Sequence, residues 1–507
     1  MSRSHEHAIS MEDRPEKAVH QGKSTSADDE VIIATLPKNV KDSPVYKKLQ
    51  KSIEAKKAKK SEEEDIKMAD ARAKEKPKIQ KVPAALKEKE KFRKYYEPQW
   101  ISIGPIHHGK ENLVLAENQY KPELVAKFIN DGGTSIEALY NIIKDKIKEL
   151  KESFDKDVIK GYDDDTLSWL LFYDGCSTLQ FINSYVKING NELRILSIKN
   201  DQIAYVQQDL FLLENQIPFE VLKLLMESRK DAEILKSSVK DFIRCNVMTP
   251  NKYKKTLEIE LETDPEPAHL LELLRSAILQ QPREHPRSNL GEKLSHSLDK
   301  AITLFPCKNY WPLNKYFTEG NDQGQQSFRS VQDLISAGID LKPSGSCSLR
   351  DIRFTSLCFA GWLRLPPITV DDSTGPRFLN LIAYEMCPDN FRTDYEVISY
   401  ISFLDSLIDY PVDVKELRSS HILHNLLGCD NDVALLFNEI ATDLVPSQAV
   451  YKDVIAQIQS HYKSKWRTWM AQVYHDHFSS PWTIVAFLAA VVALGMSGIQ
   501  TWYTVKS

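Results

Sequence analysis

Apolar residues recur at steps of three and four along much of the chain, which is the spacing of helices that bury one face. The clearest example is an apolar face that comprises Ile136, Leu139, Ile143, Ile147, Leu150 and Phe154. Thr134 and Glu137 stand at its start in the order of a capping box, which closes the first turn of a helix. This stretch is therefore predicted to be an amphipathic helix.

Similar spacing predicts more helices along the chain. They are expected over Thr166–Ile182, Asp201–Asn215, Phe219–Met226, Asp430–Leu444 and Tyr451–Tyr474. Pro218 should separate the second from the third, because proline inside a helix loses a hydrogen bond. Thr393 with Glu396 matches a second capping box, before an apolar face that comprises Val397, Ile401, Leu404 and Ile408. The fold class is therefore predicted to be mainly α, with a multi-helix body over residues 95–480.

One region has a different pattern. Leu349–Phe354 and Trp362–Leu365 alternate like strands, with Gly361 between them and Pro366–Pro367 after them. This order predicts a small β-hairpin that continues as an extended chain to Val370, so the region near 349–370 is expected to be β.

Two polar stretches without helical spacing interrupt the body. They are Gln281–Ser297 and the Gly/Ser/Gln-rich Glu319–Ser330. Such stretches are typical of surface loops. A break near 281–330 is therefore predicted to divide the body into two lobes, and no internal repeat suggests a solenoid.

The most apolar segment runs from Trp482 to Tyr503. As a helix it would span about 33 Å at ~1.5 Å per residue, close to the hydrocarbon thickness of a bilayer. Trp482, Trp502 and Tyr503 stand at its two ends, where aromatic anchors of membrane spans are found. We therefore predict a C-terminal transmembrane helix over 481–503. The alternative is a helix buried in a large core.

Flanking charge suggests how this helix would be oriented. Lys463, Lys465 and Arg467 precede the segment, while Lys506 follows it. The positive-inside tendency then places the bulk of the chain in the cytosol. The polar start of the chain, the absence of Asn-x-Ser/Thr sequons and the seven scattered cysteines agree. The prediction is a single-pass membrane protein with a C-terminal anchor. Whether the membrane is the plasma membrane or an endomembrane stays open.

Small residues at four-residue spacing in this segment suggest close helix packing. Ala486 with Ala490 and Ala489 with Ala493 are examples. Such spacing lets membrane helices associate, which would make the lipid bilayer and a second membrane helix partners of this chain. Simple exposure to lipid is the alternative.

Charge is distributed unevenly along the chain. The net charge is -5, yet residues 51–94 hold 16 Lys/Arg against 9 Asp/Glu. Residues 1–50 balance at 8 against 8, so residues 95–507 carry -12. Few aromatic residues occur before Tyr95, which predicts a disordered charged arm over 1–94, basic in 51–94. A nuclear signal or a patch for anionic lipids is the alternative to a merely solvated arm. The near-neutral total argues against a dedicated nucleic-acid binder.

No motif for catalysis or cofactor binding is found in the sequence. It contains no phosphate-binding glycine loop, dinucleotide fingerprint, nucleophile elbow or paired-histidine zinc helix. The adjacent His107 and His108 lack ligand-spaced partners, and Asp209 and Glu214 would diverge on a helix. A disulfide between Cys347 and Cys358 would contradict a cytosolic body. We therefore predict no catalytic residue, no cofactor and no metal.

Several stretches are similar to the plant family known as domain of unknown function 247. They are Ile103–Gly109 (IGPIHHG), Phe172–Cys176 (FYDGC), Asp209–Phe219 (DLFLLENQIPF), His269–Arg275 (HLLELLR) and Phe378–Glu385 (FLNLIAYE). The likeness covers about residues 95–505. It departs from the family at Tyr384–Cys387 (YEMC), where members often have Phe-Glu-Gln-Cys.

The resemblance implies a set of motif residues with structural roles. They are Gly104, Pro105, His107, His108, Asp174, Cys176, Asp209, Glu214, Asn215, Gln216, Pro218, Asn380 and Glu385. The family has no established enzymatic activity. Some grass members are implicated as pollen-side determinants of self-incompatibility, which implies recognition of a protein partner.

Three functions are compatible with the sequence. The first is a membrane-anchored, non-enzymatic recognition or interaction protein. The second is a membrane-bound enzyme that uses His107, His108, Asp174 or Glu214. The third is a peripheral lipid or nucleic-acid adaptor that acts through the basic arm. We favour the first.

Overall fold

The computed structural model describes residues 50–51, 78–187, 198–281, 330–357, 360–388, 390, 393–462 and 481–506. By internal contacts the chain divides into residues 1–70 and residues 71–507. All elements named below belong to the second unit. Its described part is mainly helical with few strands.

The helices that precede the strands differ widely in length. They are α1 (Ala84–Lys87), α2 (Glu90–Arg93), α3 (Val114–Gly132), α4 (Ile136–Asp145), α5 (Ile147–Lys151), α6 (Lys156–Ile159), α7 (Asp164–Val186), α8 (Asn200–Asp209), α9 (Phe219–Glu227), α10 (Ala232–Asn246), α11 (Asn251–Lys254), α12 (Leu270–Ile278) and α13 (Val331–Ser336).

Helix α7 is the centre of this first group. It packs against α3, α4, α9 and α10, and its side chains are buried nearly all round, as expected for a helix without a polar face. The carboxylate of Asp163 caps its start by accepting from Thr166 N at 2.7 Å. A Cβ on Gly175 would lie 2.5 Å from a methyl of Leu225, so glycine allows α9 to approach closely.

In the described part of the chain, five short strands form two small sheets. β1 (Ile339–Pro343), β2 (Arg353–Leu357) and β3 (Ala360–Leu365) are ordered β1-β3-β2, with β1 parallel and β2 antiparallel to β3. β4 (Ile368–Val370) pairs in parallel with β5 (Leu423–Asn425).

The predicted hairpin is present as β2 and β3, with two corrections. Gly361 lies inside β3, paired with Ser356 and Ile339, rather than in the turn. A Cβ there would lie 3.0 Å from side chains of Ile339 and Phe354, so the glycine serves strand packing. The pairing of β1 with β3 was not predicted because it joins segments separated by a loop.

The remaining helices surround and follow these strands. They are α14 (Thr374–Glu385), α15 (Glu396–Asp405), α16 (Pro411–Ser419), α17 (Asp430–Ala441), α18 (Lys452–Tyr462) and α19 (Pro481–Lys506). Helices α14 and α15 are almost entirely buried, and α17 packs on α15 and α16.

The C-terminal helix forms as α19, but the prediction that it crosses a membrane is wrong. Among the residues that the structure describes, no helix combines the length and the apolar character that a membrane span needs. The described part of α19 includes the polar residues Ser497, Gln500, Thr501 and Thr504, which interrupt the apolar run.

The three aromatic residues predicted as anchors all lie in α19. The ring of Trp502 is 67% exposed. The side chains of Trp482 and Tyr503 lie outside the described residues.

The folded body begins earlier than the boundary predicted at residue 94. Ile79 N donates to Ser153 O at 2.8 Å, and Asp155 N donates to Ile79 O at 2.9 Å. Val82, Leu86 and Phe92 are buried in the core. Residues 78–94 therefore belong to the body, because their few apolar side chains are spaced to face it.

Residues 1–49 and 52–77 of the predicted arm lie outside the described residues. Most of the predicted break near 281–330 and Cys358 lie outside them as well.

Helix α8 ends at Asp209, although one helix was predicted over Asp201–Asn215. The carbonyls of Leu210 and Leu212 accept from the side-chain amide of Gln216 at 2.9 and 2.8 Å. These bonds satisfy backbone groups that a continued helix would have used, so a tight turn replaces the last part of the predicted helix.

The start of α4 gives a first test of local stability. Ser135 Oγ accepts from Ala138 N at 3.2 Å, so the cap is Ser135 and not the predicted Thr134. We expect Ser135→Ala to lower the free energy of unfolding by about 1 kcal/mol, as for other serine caps. Thr134→Ala is the matched control and should change it by less than about 0.5 kcal/mol. Urea unfolding of both variants measures the difference, and a larger loss for Thr134→Ala would contradict the assignment.

Candidate functional site

Residues 95–104, between α2 and the loop before α3, form neither helix nor strand. We call them the irregular segment. Tyr96, Ile101 and Ile103 are buried, so the backbone around them is removed from water. Buried amides and carbonyls without secondary structure must find side-chain partners. The motif residues supply those partners.

Asp209, the last residue of α8, binds three consecutive amides of the irregular segment. Its carboxylate accepts from Gln99 N at 2.9 Å, from Trp100 N at 2.7 Å and from Ile101 N at 2.9 Å. Burial raises the pKa of Asp209 to about 6, and the three amide bonds oppose that rise. The carboxylate therefore acts as a fixed acceptor for backbone donors.

Two asparagines continue this pattern on either side. Asn215 Oδ1 accepts from Ile103 N at 2.7 Å, and its Nδ2 donates to Ile101 O at 3.0 Å and to Asp209 O at 2.9 Å. Asn380, from α14, donates to Tyr95 O at 2.8 Å and accepts from Leu213 N at 2.8 Å. An amide group is suited to both tasks because it donates and accepts.

Asp174, from α7, holds the end of the irregular segment. Its carboxylate accepts from Gly104 N at 2.7 Å and pairs with Lys121 Nζ at 2.7 Å. Gly104 has φ +76°, and a Cβ there would lie 2.3 Å from Gln216 O. Only glycine fits this position, because both the backbone angle and the close approach exclude a side chain.

Glu214 connects the same cluster to the start of the body. It accepts from Val82 N at 2.8 Å and pairs with Lys87 Nζ at 2.6 Å. His107 Nε2 lies 3.3 Å from its second oxygen. Burial acts to raise the pKa of Glu214, but the contacts with His107 and Lys87 outweigh it, and the pKa lies below its ordinary value.

Two of the remaining motif residues, Pro105 and Pro218, lie beside this cluster. The other three, His108, Cys176 and Glu385, take no part in it. Pro105 O accepts from Tyr162 Oη at 3.0 Å, and Pro218 is the N-cap position of α9. His108 is exposed. Cys176 is buried and burial raises the pKa of its thiol, which makes it a poor nucleophile. Glu385 is buried elsewhere, at the junction of α12, α14 and α15.

A family model described as a plant protein of unknown function, DUF247, matches residues 79–496. The chain belongs to the DUF247 family. The match begins at Ile79, the first core residue of the body, and not near residue 95 as the sequence resemblance suggested.

Two curated relatives of this DUF247 protein come from Arabidopsis thaliana. One, named a UPF0481 protein, is 28% identical over 431 residues, which are 82% of this chain and 83% of the relative. The other, named a putative UPF0481 protein, is 24% identical over 474 residues, which are 81% of this chain and 87% of the relative. No solved structure matches this chain.

In this DUF247 chain the polar cluster binds backbone rather than facing a cavity. A cavity of about 410 Å³ among the described residues lies elsewhere, between residues 258–263 and α12, and no residue of the polar cluster lines it. The structure brings His107 and Glu214 together, while Asp174 binds Gly104 and Lys121 and His108 is exposed. The four side chains considered for catalysis therefore do not share one site. Within the described residues, no group of three or more potential ligands could hold a metal ion.

Sequence reasoning missed two features of this DUF247 protein. Lys121 is 1% exposed and completes the charge balance of Asp174. The sequence feature that could have indicated this burial is the spacing of Lys121 from Leu124 and Phe128, which places it on the apolar face of α3. The second feature is an exposed aromatic surface around Trp169, for which single-sequence spacing gave no signal.

Proposed function

We propose that this DUF247 protein is a non-enzymatic recognition protein that binds a partner protein through an exposed aromatic face. The face is formed by Tyr140 of α4 and by Trp169 and Tyr173 of α7, with Ile136 beside them. Trp169 is 51% exposed and Ile136 is 47% exposed. This exposed aromatic cluster is the observation that carries the proposal.

The rings of the aromatic face pack on one another. The centroids of Trp169 and Tyr140 are 5.9 Å apart, and those of Trp169 and Tyr173 are 6.2 Å apart with nearly parallel planes. Behind them, Phe172 packs against Trp169 at 5.4 Å and is buried in the core. The face is therefore held rigidly before any partner arrives, which lowers the entropy lost on binding.

Aromatic side chains of this kind are typical centres of protein interfaces. Tryptophan and tyrosine are enriched among the residues that contribute most to binding. An isolated exposed apolar residue needs no explanation, but two exposed ones, Trp169 and Ile136, beside two partly exposed tyrosines on neighbouring helices do.

Charge around the face indicates the chemistry of the partner. Lys144 pairs with Asp165 at 2.7 Å, while the exposed Glu137 stands one residue after Ile136. The ammonium of Lys144 also lies over the Tyr140 ring, 5.7 Å from its centroid, so the face already carries one cation–π contact. The complementary partner presents an arginine or lysine next to an apolar side chain, so that the cation lies over the Trp169 ring.

The matched test compares two exposed aromatic residues. Trp169→Ala should weaken partner binding at least about tenfold, because it removes the central ring of the face. Tyr410→Ala removes a side chain that is 66% exposed at the N-cap position of α16 and should leave binding unchanged. Proximity labelling in plant tissue with full-length chains should show a defined set of proteins that Trp169→Ala loses and Tyr410→Ala keeps.

The result that overturns the proposal is equally specific. If Trp169→Ala is as stable to urea as the parent chain and labels the same proteins as Tyr410→Ala, the aromatic face is not the recognition surface. A pollen-side role in self-incompatibility, as in some grass members, stays a prediction. It requires that differences between allelic chains cluster on this face.

A further inference from the structure

Residues 257–262 (LEIELE), between α11 and α12, have the burial pattern of a strand but pair with none. We call them the acidic edge. Three apolar side chains are buried in alternation with three exposed glutamates. They are Leu257, Ile259 and Leu261, and Glu258, Glu260 and Glu262. A period of two is that of an extended chain with one face on a core. The segment nevertheless belongs to neither of the two sheets in the described part of the chain.

The backbone of the acidic edge keeps unused hydrogen-bonding groups. Glu258 O accepts from the side-chain amide of Gln280, just after α12, and Leu257 O accepts from Arg244 Nε of α10 at 3.2 Å. The backbone amide and carbonyl of Glu260 make no hydrogen bond with another described residue. Residues two apart in an extended chain direct these groups to the same side, so those of Glu260 point toward α12. An edge of this kind is a template for an added strand.

A groove lies on that side of the acidic edge. It is the cavity of about 410 Å³ between residues 258–263 and α12, a volume within the range of ligand-binding sites. Its apolar lining includes Ile259, Leu273 and Ala277, and its acidic lining is Glu258 and Glu260. A strand added here would direct its side chains alternately toward the apolar lining and toward the glutamates.

Charge on the acidic edge indicates the chemistry of such a strand. Glu262 pairs with Lys236 at 2.9 Å, whereas Glu260 makes no ion pair with another described residue. Opposite charges on directly facing strand positions attract, and like charges repel. A lysine or arginine opposite Glu260 is therefore favoured, and an acidic residue is excluded.

We propose that the acidic edge binds an extended peptide by strand addition, in which basic residues alternate with apolar ones. The peptide backbone pairs with the free amide and carbonyl of Glu260, while its apolar side chains enter the groove and its basic side chains lie opposite the glutamates. The aromatic face is built from α4 and α7, so the acidic edge is a second recognition surface that does not depend on the first.

Titration calorimetry of the full chain at physiological salt tests the site with a hexapeptide of alternating lysine and valine. We expect saturable binding of one peptide per chain. A hexapeptide with three lysines followed by three valines has the same charge and composition. It should bind at least about tenfold more weakly, because it cannot place valines in the groove and lysines opposite the glutamates together.

Backbone methylation of the peptide tests whether strand pairing occurs. N-methyl groups on alternate residues remove the amide donors from one edge of the peptide and leave the other edge intact. Of two alternating peptides that are methylated along opposite edges, we expect one to bind like the parent peptide. The other should bind at least about tenfold more weakly, because its donors no longer reach the acidic edge.

Variants of the chain locate the binding surface. Glu260→Lys reverses an exposed charge and should weaken binding of the alternating peptide at least about fivefold, while Glu123→Lys on α3 should leave it unchanged. Ser276→Trp places a large side chain at an exposed position that lines the groove and should weaken binding at least about tenfold without a change of charge. Trp169→Ala should bind this peptide like the parent chain, which separates the acidic edge from the aromatic face.

Three results would overturn the proposal. The first is an alternating peptide that does not bind, or that binds no more tightly than the block peptide. The second is equal binding of the two methylated peptides, which would show that no strand is added. The third is unchanged binding by Glu260→Lys and Ser276→Trp, which would place the peptide elsewhere on the chain.

Discussion

Replacing Asp209 by alanine is expected to lower the free energy of unfolding by about 4 kcal/mol, because three backbone donors at the edge of the core lose their charged acceptor at once. Its carboxylate accepts from the amides of Gln99, Trp100 and Ile101, which lie in a segment without secondary structure of its own. Urea unfolding followed by tryptophan fluorescence measures the loss.

Two further variants show whether the loss comes from the acceptor atoms. Asp209→Asn keeps the shape and one acceptor oxygen but places an NH₂ group against at least one amide, so its loss should fall between zero and that of alanine. Asp201→Ala removes an exposed carboxylate from the first turn of the same helix and should cost about 0.5 kcal/mol. If Asp209→Ala costs no more than Asp201→Ala, the irregular segment is not held by this residue.

The irregular segment shows why part of the fold could be predicted from the sequence and part could not. Helical spacing correctly indicated a mainly helical body, because a period of three to four residues is a local property. The segment has no such period. Its order comes from Asp174, Asp209 and Asn380, which lie 70, about 110 and 285 positions from the backbone groups that they bind. Single-sequence patterns do not indicate which distant backbone groups a polar side chain will bind.

Helix ends show the same limit. Thr393 and Glu396 match a capping box, yet the N-cap position of α15 is Tyr395 at φ 53°, with no side-chain cap from its own residues. Its first amides are bound instead by Glu385, from the end of the preceding helix. Glu385 was singled out as a motif residue in the sequence. The backbone amides that it binds, however, depend on how α14 and α15 pack.

Glu385→Gln is expected to lower the free energy of unfolding by about 3 kcal/mol, because it leaves a largely buried arginine without its main counter-charge. Glu385 accepts from Arg275 Nε at 2.8 Å and Nη2 at 2.6 Å, and from Val397 N and Ile398 N at 3.1 and 3.0 Å. Glutamine can still accept from one amide, but it cannot balance the guanidinium. Glu123→Gln, at an exposed position of α3, is the control and should change the free energy by less than about 0.5 kcal/mol.

The double variant separates the charge pair from the helix cap. Arg275→Met removes the buried cation, so adding it to Glu385→Gln should restore about 1 kcal/mol or more relative to the sum of the two single losses. The remaining loss then reports the weakened cap of α15, since Val397 N and Ile398 N still lack a charged acceptor. If the two losses simply add, Arg275 and Glu385 are not energetically coupled. Glu396, which also lies 3.4 Å from Arg275 Nη2, would then be the effective counter-charge.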